Sequence, residues 1–215
     1  MVEQTQQTQS QFRAGIGRTI DTKPGNLPAG SFATTQRRIQ EIPELIVAPG
    51  TEQIRGQVTE ALQDIGARLT KVHETAAEAY LSQEMYSDAV RHVEASVALD
   101  ANNVDKQNHL GYVRYLAGDD VGALHAFDTV LSLDGANADA LFNVGMIAFS
   151  RGDLETAEAS FRACTQIDTN NSELWNNLGV VLVQRSQSAA AKACFETALS
   201  LDSNNEDAIF NLQHL

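Results

Sequence analysis

A period of 34 residues constrains this chain more than any single motif in it. Written in rows of 34 from Thr70, the sequence aligns 70–103, 104–137, 138–171 and 172–205, and a fifth row, 206–215, runs for ten residues. One column reads Ala77, Gly111, Gly145, Gly179. A second reads Ala89, Ala123, Ala157, Ala191, and four places on stand Val93, Phe127, Phe161, Phe195. A fourth gives Leu99, Leu133, Ile167, Leu201, followed each time by aspartate: Asp100, Asp134, Asp168, Asp202. Registers that agree at once in this way mark a stack of equivalent supersecondary units, each too small to bury a core alone.

Within a row the apolar spacing is helical twice over. In row three Leu141, Val144, Ala148 and Phe149 share one face, and after Ser150-Arg151-Gly152-Asp153 a second face carries Ala157, Phe161, Cys164 and Ile167. Each row therefore predicts a helix, a tight turn and a second helix. Gly118 and Gly152 occupy the turn, with Glu84 and Ser186 in the same place elsewhere, and Asp/Asn-rich stretches such as Asp202-Ser203-Asn204-Asn205 join the rows and can cap the next helix. The Gly and Ala columns fit positions where a side chain would hold two crossing backbones apart, and the Phe column fills the space beside them.

The pattern resembles the tetratricopeptide repeat family over residues 70–215. Row four follows the family motif most fully, with Leu174-Trp175-Asn176-Asn177-Leu178-Gly179, Ala191, Phe195 and Ala198. The chain departs from it in two respects. The proline often found between repeats is replaced by Ala101, Gly135, Thr169 and Ser203, and Ala76-Ala77 stands in for the Leu-Gly pair of row one. The resemblance implies an all-α solenoid, a right-handed superhelix of helix-turn-helix repeats, with its function in an open groove rather than a closed catalytic pocket.

The flanking segments differ from the repeats. Residues 51–69 place Ile54, Val58, Leu62, Ile65 and Leu69 on one stripe behind Thr51, a plausible N-cap, and predict a capping helix or a self-association helix forming a homodimer. Residues 206–215 are expected to be a C-terminal capping helix or a truncated fifth repeat, with Ile209 and Leu212 turned to row four. All four prolines lie in residues 1–50, a Gln/Thr/Gly/Ser-rich stretch expected to be a flexible leader. Its apolar segment Ile42 to Pro49 is a candidate occupant of the groove, or else packs on the capping helix.

Charge divides at the same place. Residues 1–50 carry a net +1 and residues 51–215 a net −14, out of −13 for the whole chain. Such an acidic body repels phosphate backbones, so no nucleic acid is expected as partner. The longest apolar runs, such as Val180 to Val183, fall far short of the roughly 18 residues a membrane helix needs, so no membrane insertion is expected. Met1-Val2-Glu3-Gln4 opens without a signal-peptide pattern. Cys164 and Cys194 read as small buried apolar residues, which suits a reducing, cytoplasmic compartment.

Neither an enzyme, a cofactor site nor a metal site is expected. The five histidines (His73, His92, His109, His125, His214) are dispersed, and Gly15 and Gly17 lack the remaining glycine and the Lys-Ser/Thr pair of a phosphate loop. Function is expected instead on the first helix of each row. By the family resemblance, the position before the Leu-Gly pair faces inward and, in superhelical members, an asparagine ladder there holds a peptide backbone; that column gives His109, Asn143, Asn177 and Asn211. A carboxamide offers a donor and an acceptor together, as a peptide unit requires. Neighbouring columns add Asn108, Phe142 and Asn176, then Tyr112, Met146 and Val180, then Tyr115 and Phe149, flanked by Glu74, Glu78, Asp105, Asp139 and Glu173. The Lys, Asn, Asn, Lys, Arg set with which some family members clamp acidic chaperone tails is absent: its columns give Glu74, Glu78, His109, Asp139 and Asn143. The expectation is a scaffold, adaptor or assembly factor binding a neutral, apolar or basic protein segment. A small chaperone shielding a client segment, and a regulatory domain of a larger protein, are the alternatives.

Overall fold

The computed structural model describes residues 52–215; the expectations for the leader, for the docking of Ile42 to Pro49 and for Thr51 as a cap lie outside the described residues. Described residues form helices and turns without a strand: α1 (Glu52–Leu81), α2 (Tyr86–Leu99), α3 (Val104–Leu116), α4 (Asp120–Leu133), α5 (Ala138–Ser150), α6 (Leu154–Ile167), α7 (Ser172–Gln184), α8 (Ser188–Leu201) and α9 (Glu206–Gln213). They divide into two compact units, 52–119 and 120–215, and the division falls inside the second row of the 34-residue alignment.

In the first unit α1 packs on α2 and α2 on α3. The sequence separates a capping helix from the first repeat at residues 69/70, but one uninterrupted helix of 30 residues runs through that point. Arg68-Leu69-Thr70-Lys71 contains neither glycine nor proline, so nothing breaks the helix there. The interior of the unit is formed by Ala77, Ala89, Val93, Val97, Leu110 and Val113, all buried.

In the second unit the Phe column forms the core. Phe127, Phe161 and Phe195 are buried to 1% exposure or less, and the last two share one cluster with Leu174, Leu178, Val181 and Leu182. Each of those rings contributes about 1.5–3 kcal/mol through removal from water. Phe161 and Phe195 lie against the glycines of the preceding helix: a methyl on Gly145 would fall 2.8 Å from Phe161 Cε1, and one on Gly179 2.7 Å from Phe195 Cδ1. Small residues recur on the first helix because an aromatic ring from the second occupies the place of their side chain.

The turns repeat as well. Within a row the chain reverses through one left-handed residue: Gly118 (φ 79°), Gly152 (φ 78°), and, against the usual steric preference, Glu84 (φ 58°) and Ser186 (φ 60°). At each, the following amide reaches back to close the helix, as in Asp153 N to Ala148 O at 2.9 Å and Gln187 N to Leu182 O at 2.8 Å. Between rows the asparagines Asn103, Asn137, Asn171 and Asn205 cap α3, α5, α7 and α9, each accepting from the amide three residues on. The first three also donate from Nδ2 to the aspartate of their own turn, Asp100, Asp134 and Asp168, at 3.0, 3.2 and 3.1 Å. The Asp and Asn columns are thus one device, an aspartate fixing the asparagine that starts the next helix.

At the C-terminal end Leu212 packs on the core, but Ile209 is turned outward and Ala208 takes the buried place. Alanine at this position leaves room for α9 to approach α8, which a branched side chain would not.

Gly179→Ala is expected to lose about 1–2 kcal/mol in urea unfolding, overpacking against Phe195 exceeding the gain in helix propensity. Gly56→Ala, where a methyl meets open space, should gain a few tenths to about 1 kcal/mol. Equal effects at the two sites would contradict the ring-on-glycine packing. Ser186→Gly is expected to stabilise by about 1 kcal/mol by relieving the left-handed turn, and an unchanged unfolding midpoint would refute that account.

Candidate functional site

The first helices of the second unit, α5, α7 and α9, carry most of the residues singled out from the sequence. Phe142, Met146 and Phe149 on α5 and Trp175 and Val180 on α7 are half-buried and pack against one core cluster. Phe142 lies 5.8 Å from Phe161, centroid to centroid, tilted by 57°. These side chains form a floor anchored from beneath. Val183 of α7 is 41% exposed, and the carboxylates of Asp139 and Glu173 stand exposed in the first turns of α5 and α7.

The asparagines do not behave as one ladder. Asn143 is half-buried and donates from Nδ2 to Asp139 O of its own helix at 2.9 Å. Asn211 donates from Nδ2 to Asn176 Oδ1 at 2.9 Å. Asn176, expected on the groove floor, is instead buried at 5% exposure. A buried carboxamide needs a partner, and Asn211 provides one from the next row, so this pair ties α9 to α7. Asn177 is half-exposed, and its side chain makes no hydrogen bond among the described residues. Sequence columns show which residues recur at one helical position, but not that neighbouring columns will bond to each other across a row.

In the first unit, α3 carries Asn108, His109, Tyr112 and Tyr115, all half-buried. Burial holds the His109 imidazole below its ordinary value, against the pull of the Glu78 and Glu74 carboxylates. Glu74 also accepts from Ser96 Oγ at 3.3 Å. Beside them lies a pair that sequence spacing did not reveal: His73 on α1, 4% exposed, and His92 on α2 bring their Nδ1 atoms to 3.0 Å. His92 in turn stacks on Tyr80 at 5.3 Å. One ring must donate and the other accept, so the contact is lost when both are protonated. Burial lowers both imidazoles; His92 adds to the effect on His73, while at His92 Asp88 opposes it and Arg91 reinforces it.

Chemistry elsewhere is muted. Cys164 and Cys194 are buried free thiols; burial, with help from Asp168 and Asp139, pushes Cys164 up to about 11, and burial raises Cys194 too. Such thiols are poor nucleophiles. Among the described residues no group of three or more His, Cys, Asp or Glu side chains could hold a metal ion, and no helix is long and apolar enough to cross a membrane.

Comparison with known proteins fits this architecture. Family models described as tetratricopeptide repeat match residues 122–172 and 172–205. The fold is similar to that of MamA (TM-score 0.63, 18% identity, covering 68% of this chain and 80% of that one). It is also similar to YrrB, described as a TPR protein with an unusual peptide-binding site (TM-score 0.60, 19% identity, 87% and 100% covered). A third likeness is to Pseudomonas aeruginosa pilF (TM-score 0.60, 22% identity, 69% and 68% covered). At these identities the likeness concerns the fold alone. No curated protein sequence matches the chain. The chain is a tetratricopeptide repeat protein, an all-α solenoid of the kind that serves protein interaction.

The histidines give the stability a pH dependence. His73, His92 and His109 are all lowered from 6.5 in the folded state, so as pH falls through 6.5 the unfolded chain takes up protons first. Stability is full above that value and is lost progressively below it. His73→Gln/His92→Gln is expected to flatten the unfolding midpoint between about pH 6.5 and 5, and an unaltered slope would exclude the pair as its source.

Proposed function

We propose that this protein is a non-enzymatic interaction module that holds an extended, neutral-to-apolar or basic peptide segment against the face of α5 and α7. The observation that carries this reading is Asn177. Its carboxamide is half-exposed and uncommitted among the described residues, on the same helix as Val180, which with Phe142, Met146 and Phe149 of α5 packs half-buried against the core cluster. A peptide unit offers the donor and acceptor that this side chain lacks, and apolar side chains of the same peptide would rest on the floor. Exposed Asp139 and Glu173 at its edge favour a basic segment over an acidic one. That YrrB is described as having a peptide-binding site supports the same use of the fold. Asn143 adds less, with one donor already given to its own helix.

The test is fluorescence anisotropy with three sets of labelled extended peptides: apolar-neutral, basic and acidic. Acidic peptides should bind most weakly. Asn177→Ala should weaken the best binder about three- to tenfold, the worth of one net hydrogen bond, and Val180→Asp should weaken apolar-neutral peptides further. Preference for acidic peptides, or affinities that neither substitution alters, would overturn the proposal.

A further inference from the structure

The N-terminal part of α1 has more helix than its neighbour can support. α1 has 30 residues and α2, the helix it packs on, has 14, so at 1.5 Å per residue about half of α1 runs beyond α2. That overhang contains Gly56 and Gly66, each with open space where a side chain would stand. Each glycine costs about 1 kcal/mol relative to alanine, and a helix of this length is marginal alone in water. It needs cover.

The overhang also carries the means of covering itself. Val58, Leu62, Ile65, Leu69 and Val72 follow one another at steps of four, three, four and three, a heptad seam, with Ile54 four residues earlier. Ile54, Ile65 and Val72 are 53%, 48% and 54% exposed. The seam runs beside the α2 contact: Val72 points about 100° away from His73, the next residue, which faces His92 of α2, whereas Leu69, one turn before His73, borders that contact.

Charge selects the occupant. Residues 52–64 hold Glu52, Arg55, Glu60 and Asp64, a net −2, whereas residues 65–72 hold Arg68 and Lys71, a net +2. Two copies laid antiparallel place each acidic half on a basic half; laid parallel, they place like on like. The region 52–72 is neutral as a whole, within a chain otherwise strongly acidic, and an antiparallel pairing also directs the acidic remainders of the two chains to opposite ends. We propose that residues 54–72 form an antiparallel two-stranded coiled coil with the same residues of a second copy, making the protein a two-fold symmetric dimer. The Asp64–Arg68 pair within each helix, at 2.8 Å, leaves guanidinium donors for the partner helix.

Sedimentation equilibrium of the full chain tests this. The wild type should dimerise at micromolar concentrations, and Ile65→Asp should raise the dissociation constant at least about a hundredfold while the thermal transition of the repeats persists. Arg68→Glu/Lys71→Glu makes the basic half acidic and should weaken the dimer about tenfold. Adding Glu60→Lys/Asp64→Lys reverses both halves and should restore it. A full chain that stays monomeric at high micromolar concentration overturns the proposal, as would happen if residues upstream of the helix covered the stripe. So does a dimer indifferent to Ile65→Asp. A dimer that ignores the first charge reversal overturns the antiparallel arrangement, since a parallel pair has like halves together before and after it.

Discussion

The structure rests on a phenylalanine ring lying on a glycine. At Gly145 and Gly179 the space of a side chain is taken by Phe161 and Phe195, which sets how closely the two helices of a row approach and in what register. The alanines four residues before those rings, Ala157 and Ala191, are wholly buried and extend the close approach along the second helix. Once that distance is fixed, the leucines of the next row, Leu174 and Leu178 among them, have a defined surface to pack on. Packing interiors to crystal-like density leaves little tolerance in such contacts, so a period in the sequence becomes a period in space.

Much of this was legible because packing columns repeat and therefore declare themselves. The left-handed turn residues Glu84 and Ser186 were visible from alignment with Gly118 and Gly152, though neither residue type suggests the conformation. Recurrence does not always mean burial: Leu133, Ile167 and Leu201 form a column as regular as the phenylalanines yet are 44%, 44% and 39% exposed. What the sequence concealed were relations between columns. The Asn176–Asn211 bond and the His73–His92 contact each join residues on different helices, 35 and 19 residues apart, and no spacing rule within a helix anticipates either.

The candidate site was legible in position and less so in state. Phe142, Met146, Phe149 and Val180 all pack half-buried against one core cluster, because helical periodicity assigns apolar faces well. The asparagines diverge because a carboxamide at one helical position has several partners within reach: its own backbone for Asn143, the next row for Asn211, and none for Asn177. Local competition for hydrogen bonds, rather than position, decides which of them keeps an uncommitted carboxamide.

The turn between rows has a bearing on how such a chain can change in length. At the first three junctions the asparagine and aspartate side chains bond within the junction, so these junctions do not record which rows they join, whereas Asn205 of the last reaches Ser172 Oγ at 2.8 Å. Removing residues 134 to 167, a span of one period, would bring Leu133 directly before Asp168 and recreate the Leu-Asp step found at every other junction. A gene encoding this protein could therefore lengthen or shorten by whole rows without composing a new turn, and selection would then act on the exposed faces of the rows rather than on the joints between them.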